Sequence, residues 1–183
     1  MKNKKLIAVL ALVLILVAGF ASAYMRKQTQ TIENDFLPPN VSCRVNETFD
    51  GTYKSNITIT NTGNYKAYVR LRIVSYWLDE KGEIIFRESD PVDISSILNS
   101  NDWVADIPNN TYYYKKAIDP SVSTNNLLKN GTTIQLKTEG EYTQVVDIFA
   151  EAILAALDVD PPAKTVVTAW GVTVDGSGNI ISA

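Results

Sequence analysis

Histidine is absent from the whole chain and cysteine occurs once. Without an imidazole, zinc sites of the His-Glu-x-x-His type, Ser-His-Asp hydrolases and Cys-His proteases cannot be built. With Cys43 alone no disulfide can close within the chain, so stability must come from packing. Cys43 lies in Val41-Ser42-Cys43-Arg44-Val45, an apolar-polar alternation that predicts a small buried strand residue rather than a reactive thiol. Internal repeats, low-complexity tracts and a basic cluster are also missing, and only one apolar run is long enough to approach a membrane span.

That run, from Leu6 to Phe20, follows Lys2, Lys4 and Lys5 and precedes Ala21-Ser22-Ala23. A basic start, an apolar middle and a small-x-small end are what a signal peptidase reads. We expect cleavage after Ala23, with Ala21 and Ala23 as the small side chains the peptidase needs and Tyr24 as the new N-terminus. The alternative is an uncleaved N-terminal anchor; in either case the working part lies outside the cell. Losing three lysines takes the net charge from −3 to about −6. An acidic domain repels phosphate backbones, so nucleic acid is not an expected partner, nor is a membrane after cleavage.

Three segments follow from this: a signal peptide at 1–23, an extended N-terminal arm at 24–40, and one domain at 41–183. The arm is polar, has little periodicity and ends in Pro38-Pro39, which fixes φ and gives an extended entry. From Val41 onward short alternating runs are separated by turn residues, as in antiparallel sheets with one buried face. Ile57 and Ile59 share a face. Gly63, in Asn61-Thr62-Gly63-Asn64, is expected to supply positive φ in a turn. In residues 67–78, Ala67, Val69, Leu71, Ile73, Ser75 and Trp77 form the core face. Asp79-Glu80-Lys81-Gly82 predicts a hairpin that sets Trp77 beside Ile85.

Residues 89–98 fit one or two helical turns, and 99–110 are expected to be loop around Trp103. Tyr112-Tyr113-Tyr114 predicts a strand, and Ile134 and Leu136 point inward from another. Residues 142–157 fit both periods: Val145, Phe149 and Ile153 at helical spacing, Val146, Ile148, Ala150 and Ala152 at strand spacing. Asp160, Pro161-Pro162 and Gly171 bracket a helix over 163–170, with Val166 and Trp170 on one face. A hairpin closes the domain, residues 172–174 and 179–181 joined by Asp175-Gly176-Ser177-Gly178. Seven or more short strands in one domain indicate a mainly β fold, an antiparallel β-sandwich with one short C-terminal helix.

Candidate sites are few. Carboxylates are the only acid/base pairs left; Asp79-Glu80, Asp147 with Glu151, and Asp158 with Asp160 are the candidates, and each has a plainer role in a turn, on a strand's outer face or at a helix cap. No catalytic residue, cofactor or metal is expected. The loop at Asp175 is rich in oxygen but lacks EF-hand spacing, so a hairpin turn is the reading. Alternation sets Tyr113 opposite Tyr112 and Tyr114, which leaves Tyr112 and Tyr114 as a possible surface aromatic pair. With Trp103 and Tyr142 they make a candidate sugar-stacking platform. Asn40, Asn46, Asn56, Asn109 and Asn130 each begin an Asn-x-Ser/Thr sequon, expected from chance in an Asn/Thr-rich chain.

The stretches 49–51, 56–64 and 67–70, with Asp147-Ile148-Phe149-Ala150-Glu151-Ala152-Ile153 and Ala169-Trp170-Gly171-Val172, resemble the TasA/camelysin-type exported fibre proteins of Gram-positive bacteria. The resemblance implies a jelly-roll-like sandwich that serves as a subunit or accessory subunit of biofilm-matrix or cell-surface fibres. It implies that the arm freed by the signal peptidase, with Tyr24, Met25, Ile32 and Phe36, is added as a strand to another copy or a paralogous subunit. It also favours strand over helix for 145–153. The protease activity attached to the camelysin name has no support in a chain without histidine, and residues 89–130 match nothing in the family. The alternative function is a carbohydrate-binding or adhesive surface module using Tyr112 and Tyr114.

Overall fold

A computed structural model describes residues 40–85, 92–155 and 164–183. The described chain is mainly β, with antiparallel sheets and one short helix. Strand β1 (Cys43–Phe49) pairs with β2 (Tyr53–Asn61), and β2 pairs at its start with the two-residue β7 (Ile134–Gln135). The second sheet has the order β5 (Trp103–Asp106), β6 (Thr111–Tyr114), β3 (Ala67–Leu78), β9 (Tyr142–Leu154), β8 (Thr138–Glu139), with β4 (Ile84–Ile85) attached to the end of β3. A hairpin of β10 (Thr173–Val174) and β11 (Ile180–Ser182) follows the helix α1 (Lys164–Trp170).

The central pair is β3 with β9, matched residue for residue from Ala67↔Leu154 to Leu78↔Thr143. Residues 142–154 are therefore strand, although their sequence fits both periods. The β-branched and aromatic first half favours strand, and the Ala-rich second half is held extended by the register with β3. Alternation on β3 falls as expected: Val69, Leu71, Ile73 and Trp77 are at most 2% exposed and face the first sheet. Val69, Leu71 and Ile73 pack with Ile57 and Ile59 of β2, Tyr112 and Tyr114 of β6, and Val146 of β9 in one apolar cluster between the two sheets. Each such aliphatic side chain contributes about 1.5–3 kcal/mol by leaving water.

Strand β2 holds its phase through a bulge. Thr48 pairs with Ser55 but Asn46 pairs with Thr58, so Asn56 and Ile57 together oppose Glu47. Asn56 takes φ 51°, the left-handed conformation that such a bulge requires and that asparagine tolerates. Past β7, the free side of β2 is satisfied by residues 121–127: Thr124 and Leu127 donate their backbone N–H to Ile59 and Ile57 carbonyls, and Thr124 Oγ1 accepts from Ile59 N.

The opposite face of the larger sheet is covered at one end. There Tyr68, Tyr113 and Ala155 pack with Val166 of α1 and with Val172 and Ile180 of the last hairpin. Tyr68 donates its hydroxyl to the Gly178 carbonyl at 2.7 Å, and Arg70 lies 4.8 Å from the Trp170 ring. Gly171 ends α1 at φ 70°, donating its N–H to the Val167 carbonyl. The predicted cap at Asp160 lies outside the described residues. Among them no helix is long and apolar enough to cross a membrane.

Three local expectations are corrected. Described residues 92–98 form a turn closed by Ile97 N to Ile94 O and a bridge from Leu98 to Leu128, not helical turns; Ile94 and Leu98 are drawn into the core as single anchors. Trp103 begins strand β5 rather than sitting in a loop, because its indole is buried against Tyr114, ring centroids 5.2 Å apart. Gly63 does not have positive φ. Its lack of a side chain is needed for space, since a Cβ there would collide with the Asn40 carbonyl oxygen.

Candidate functional site

Tyr112, Tyr113 and Tyr114 are 1%, 4% and 8% exposed, so no surface aromatic pair exists on β6. The larger sheet is covered on both faces at this point, which alternation along one strand cannot reveal. Burial pushes the Tyr112 hydroxyl up to about 12, with the nearby Asp93 adding to it. Trp103 is likewise 1% exposed and donates Nε1–H to the Asn125 carbonyl. The proposed sugar platform of Tyr112, Tyr114 and Trp103 is thus core.

Asp147 and Glu151 both project from the outer face of β9, four residues apart on a strand, which is about 13 Å at the usual rise. That exceeds the carboxyl separation of either glycosidase geometry. Both are also engaged. Glu151 Oε2 accepts from Arg70 Nε and Nη2 at 2.9 and 2.6 Å, and Asp147 accepts a hydrogen bond from Tyr76, which raises the tyrosine's pKa. Asp79 Oδ1 accepts from the N–H groups of Lys81 and Glu83, closing the hairpin turn. Asp158 and Asp160 lie outside the described residues.

The Asp175 loop is a hairpin turn. Asp175 accepts from the Asn179 side chain and from the N–H groups of Asn179 and Ser177, and these bonds hold its carboxyl below the usual range. Among the described residues, no three His, Cys, Asp or Glu side chains come together as a metal site. A cleft of about 310 Å³ lies between Ile94, Ile97, Ile134, Lys137 and Gln144. The buried Gln144 side chain there accepts from Lys137 N through Oε1.

Ala21, Ala23, Tyr24, Met25, Ile32 and Phe36 all lie outside the described residues. The point where the arm joins the domain is described, and it is clamped. Asn40 donates its N–H to Asn64 Oδ1 and accepts from Asn64 N, at 2.9 and 3.0 Å. The Ser42 carbonyl accepts from both Thr62 N and Gly63 N, and Ser42 and Thr62 hydroxyls bond at 2.8 Å. Asn61 fixes the turn from within: its side chain donates to the carbonyls of Tyr65 and Ile118 and accepts from Gly63 N. The backbone approach is close enough that only glycine fits at 63.

A second feature lies beside this clamp. Strand β8 pairs with Thr143 and Tyr142, and Lys137 O takes Gln144 N. Beyond that point, among the described residues, no strand pairs with the outer edge of β9. The N–H and C=O groups of Val146, Ile148, Ala150 and Ala152 point the same way as those of Gln144, toward that open edge. Strand β1, in the facing sheet, likewise has no neighbour beyond it among the described residues. The two free edges lie on one side of the sandwich.

The core is unfinished along this seam. Ile148, Ala150 and Ala152 face inward but are only half-buried, as are Cys43 and Val45 on β1, whereas the equivalent face of β3 is sealed. Burial, with Glu151 nearby, raises the Cys43 thiol pKa. Cys43 is therefore a half-buried strand residue, close to the sequence reading. Sequence reasoning missed both the clamp and the seam. The alanines at 150 and 152, small residues following Ile148 on the inward face, were the available signal for the second.

No family model, curated protein or solved structure matches the chain.

Proposed function

We propose that this protein is an exported, non-enzymatic structural subunit, or accessory subunit, of extracellular or cell-surface fibres. Its arm, residues 24–36, is added as a strand to another copy or a paralogous subunit after signal-peptidase cleavage following Ala23. The resemblance of residues 56–64 and 147–153 to TasA/camelysin-type biofilm-matrix proteins suggests the role. The observation that supports it most is the clamp at the arm's root. The reciprocal Asn40 and Asn64 bonds and the Gly63 contact fix where the arm leaves the domain. A donor segment gains affinity from such a fixed origin because less freedom is lost on docking. With Tyr112 and Tyr114 in the core, the alternative adhesive role loses the residues it would use.

Protein beginning at Tyr24 should form filaments visible by electron microscopy. Protein lacking residues 24–36 should remain monomeric by light scattering. Identical filaments from the shortened form would show that the arm is not the donor.

A further inference from the structure

The buried Gln144 side chain has one amide atom without a partner. Gln144 is 2% exposed and stands on the inward face of β9, where it is the register partner of Trp77. Its Oε1 accepts from Lys137 N at 3.2 Å. Because that donor is a backbone N–H, the amide must present its oxygen there and its nitrogen on the other side. Among the described residues nothing accepts a hydrogen bond from Nε2. Gln144 lines the cleft of about 310 Å³, so the two N–H bonds of Nε2 are what it offers to that space. Buried donors in folded proteins are satisfied in nearly every case, and an unsatisfied one carries its full desolvation cost. The cleft holds far more than the roughly 30 Å³ of one water, and its size falls at the lower end for small-molecule sites.

The rest of the lining narrows the ligand. Ile94 and Ile134 are buried and Ile97 is half-buried, so branched aliphatic side chains form an apolar wall. No aromatic ring is among the described residues that line the cleft, which leaves nothing for a flat ring or a sugar to stack on. Lys137 brings a positive charge and Asp93 a negative one, so the charges of the lining balance. Asp93 Oδ1 is already engaged by Ser95 N and Ser95 Oγ. A buried donor, an apolar wall and balanced charge select for an oxygen acceptor on a short aliphatic body rather than for net charge. We propose that this cleft binds a small branched aliphatic carboxamide or carboxylate. Its carbonyl oxygen accepts from Gln144 Nε2 and its chain lies against Ile94, Ile97 and Ile134. The site is independent of fibre assembly and of the arm.

The test titrates the full isotope-labelled chain with isovaleramide, isovalerate and isopentylamine, which share one aliphatic body, and follows the protein by nuclear magnetic resonance. The amide and the carboxylate should each shift the Gln144 side-chain amide and the Ile134 backbone amide, saturating at millimolar concentration. The amine, which at neutral pH carries no acceptor, should shift neither. Gln144→Glu keeps an oxygen for Lys137 N but loses the donor, and should weaken both carbonyl ligands by about tenfold or more, read at Ile134. Should Gln144→Glu fail to fold because it buries a charge, Gln144→Met removes the donor at similar volume and should give the same loss. An equal response to isopentylamine, or undiminished binding in the folded variant, would overturn Nε2 as the anchor. No response to either carbonyl ligand would mean that water alone serves Nε2, and would overturn the site.

Discussion

At Gly63 the limiting quantity is space rather than conformation. The bonds from Thr62 and Gly63 to Ser42 and between Asn64 and Asn40 hold the Asn40 backbone so closely that any β-carbon at 63 displaces it, and backbone has nowhere to go without breaking the Asn40 and Asn64 pair. Gly63→Ala should lower stability by about 1–3 kcal/mol, the usual range for overpacking, read as a lowered denaturant midpoint at unchanged slope. Gly82→Ala, where φ is 78° but the space is open, should cost only about 1 kcal/mol of backbone strain. Equal losses at the two sites would contradict the steric account. A glycine in an Asn-Thr-Gly-Asn turn is legible as a turn residue. Which of its two freedoms the fold uses depends on a chain segment some twenty residues earlier, and local sequence does not carry that.

Among the elements, β2 shows how one residue sets the phase of a strand. Ile57 and Ile59 were legible as a core pair, but the bulge at Asn56 that brings them into phase with β1 was not. Asn56→Gly should keep or slightly raise stability, since glycine adopts φ near 51° without strain. Asn56→Val should cost about 1–3 kcal/mol, because a β-branched residue resists that conformation. Thermal midpoints of the two variants, measured side by side, check the sign difference; a tolerated valine would mean the bulge relaxes. The helix α1 and the last hairpin were readable from Gly171 and the Asp175 loop, where capping and turn chemistry are local. Strand β9 was not, because its alanine-rich second half favours helix and only pairing with β3 holds it extended.

For the whole molecule, the lack of histidine has a consequence in solution. No side chain has an ordinary pKa between about 5 and 8, so the thermal midpoint should be nearly flat across that range. Asp50, Asp93 and Asp175 are held below the usual carboxylate range by hydrogen bonds within their turns. Groups with lowered folded pKa contribute stability above their unfolded value of about 3.9, and that contribution disappears as pH falls through the folded values. Stability should therefore decline below about pH 4. Tyr112 works in the other direction: with its folded pKa raised to about 12, it favours the folded state up to pH about 10 and loses that contribution as pH rises toward 12. Thermal unfolding followed from pH 2 to 11, with tyrosinate absorbance at the alkaline end, tests both limbs. A transition near pH 6.5 would contradict the composition argument.

By itself the sequence determined the class of the molecule. Period-two alternation with frequent turn residues admits little besides antiparallel sheets, and the absence of histidine and of paired cysteines excludes whole families of chemistry. The pairing of Trp77 with Ile85 followed as well, because hairpin register is set by a few neighbouring residues. Tertiary structure decided what lies on each side of a sheet. It placed Tyr112 and Tyr114 in a closed core, turned residues 142–154 into the longest described strand, and left one edge of that strand without a partner among the described residues. These outcomes depend on contacts between residues far apart in the chain, and burial on a second face leaves no local pattern.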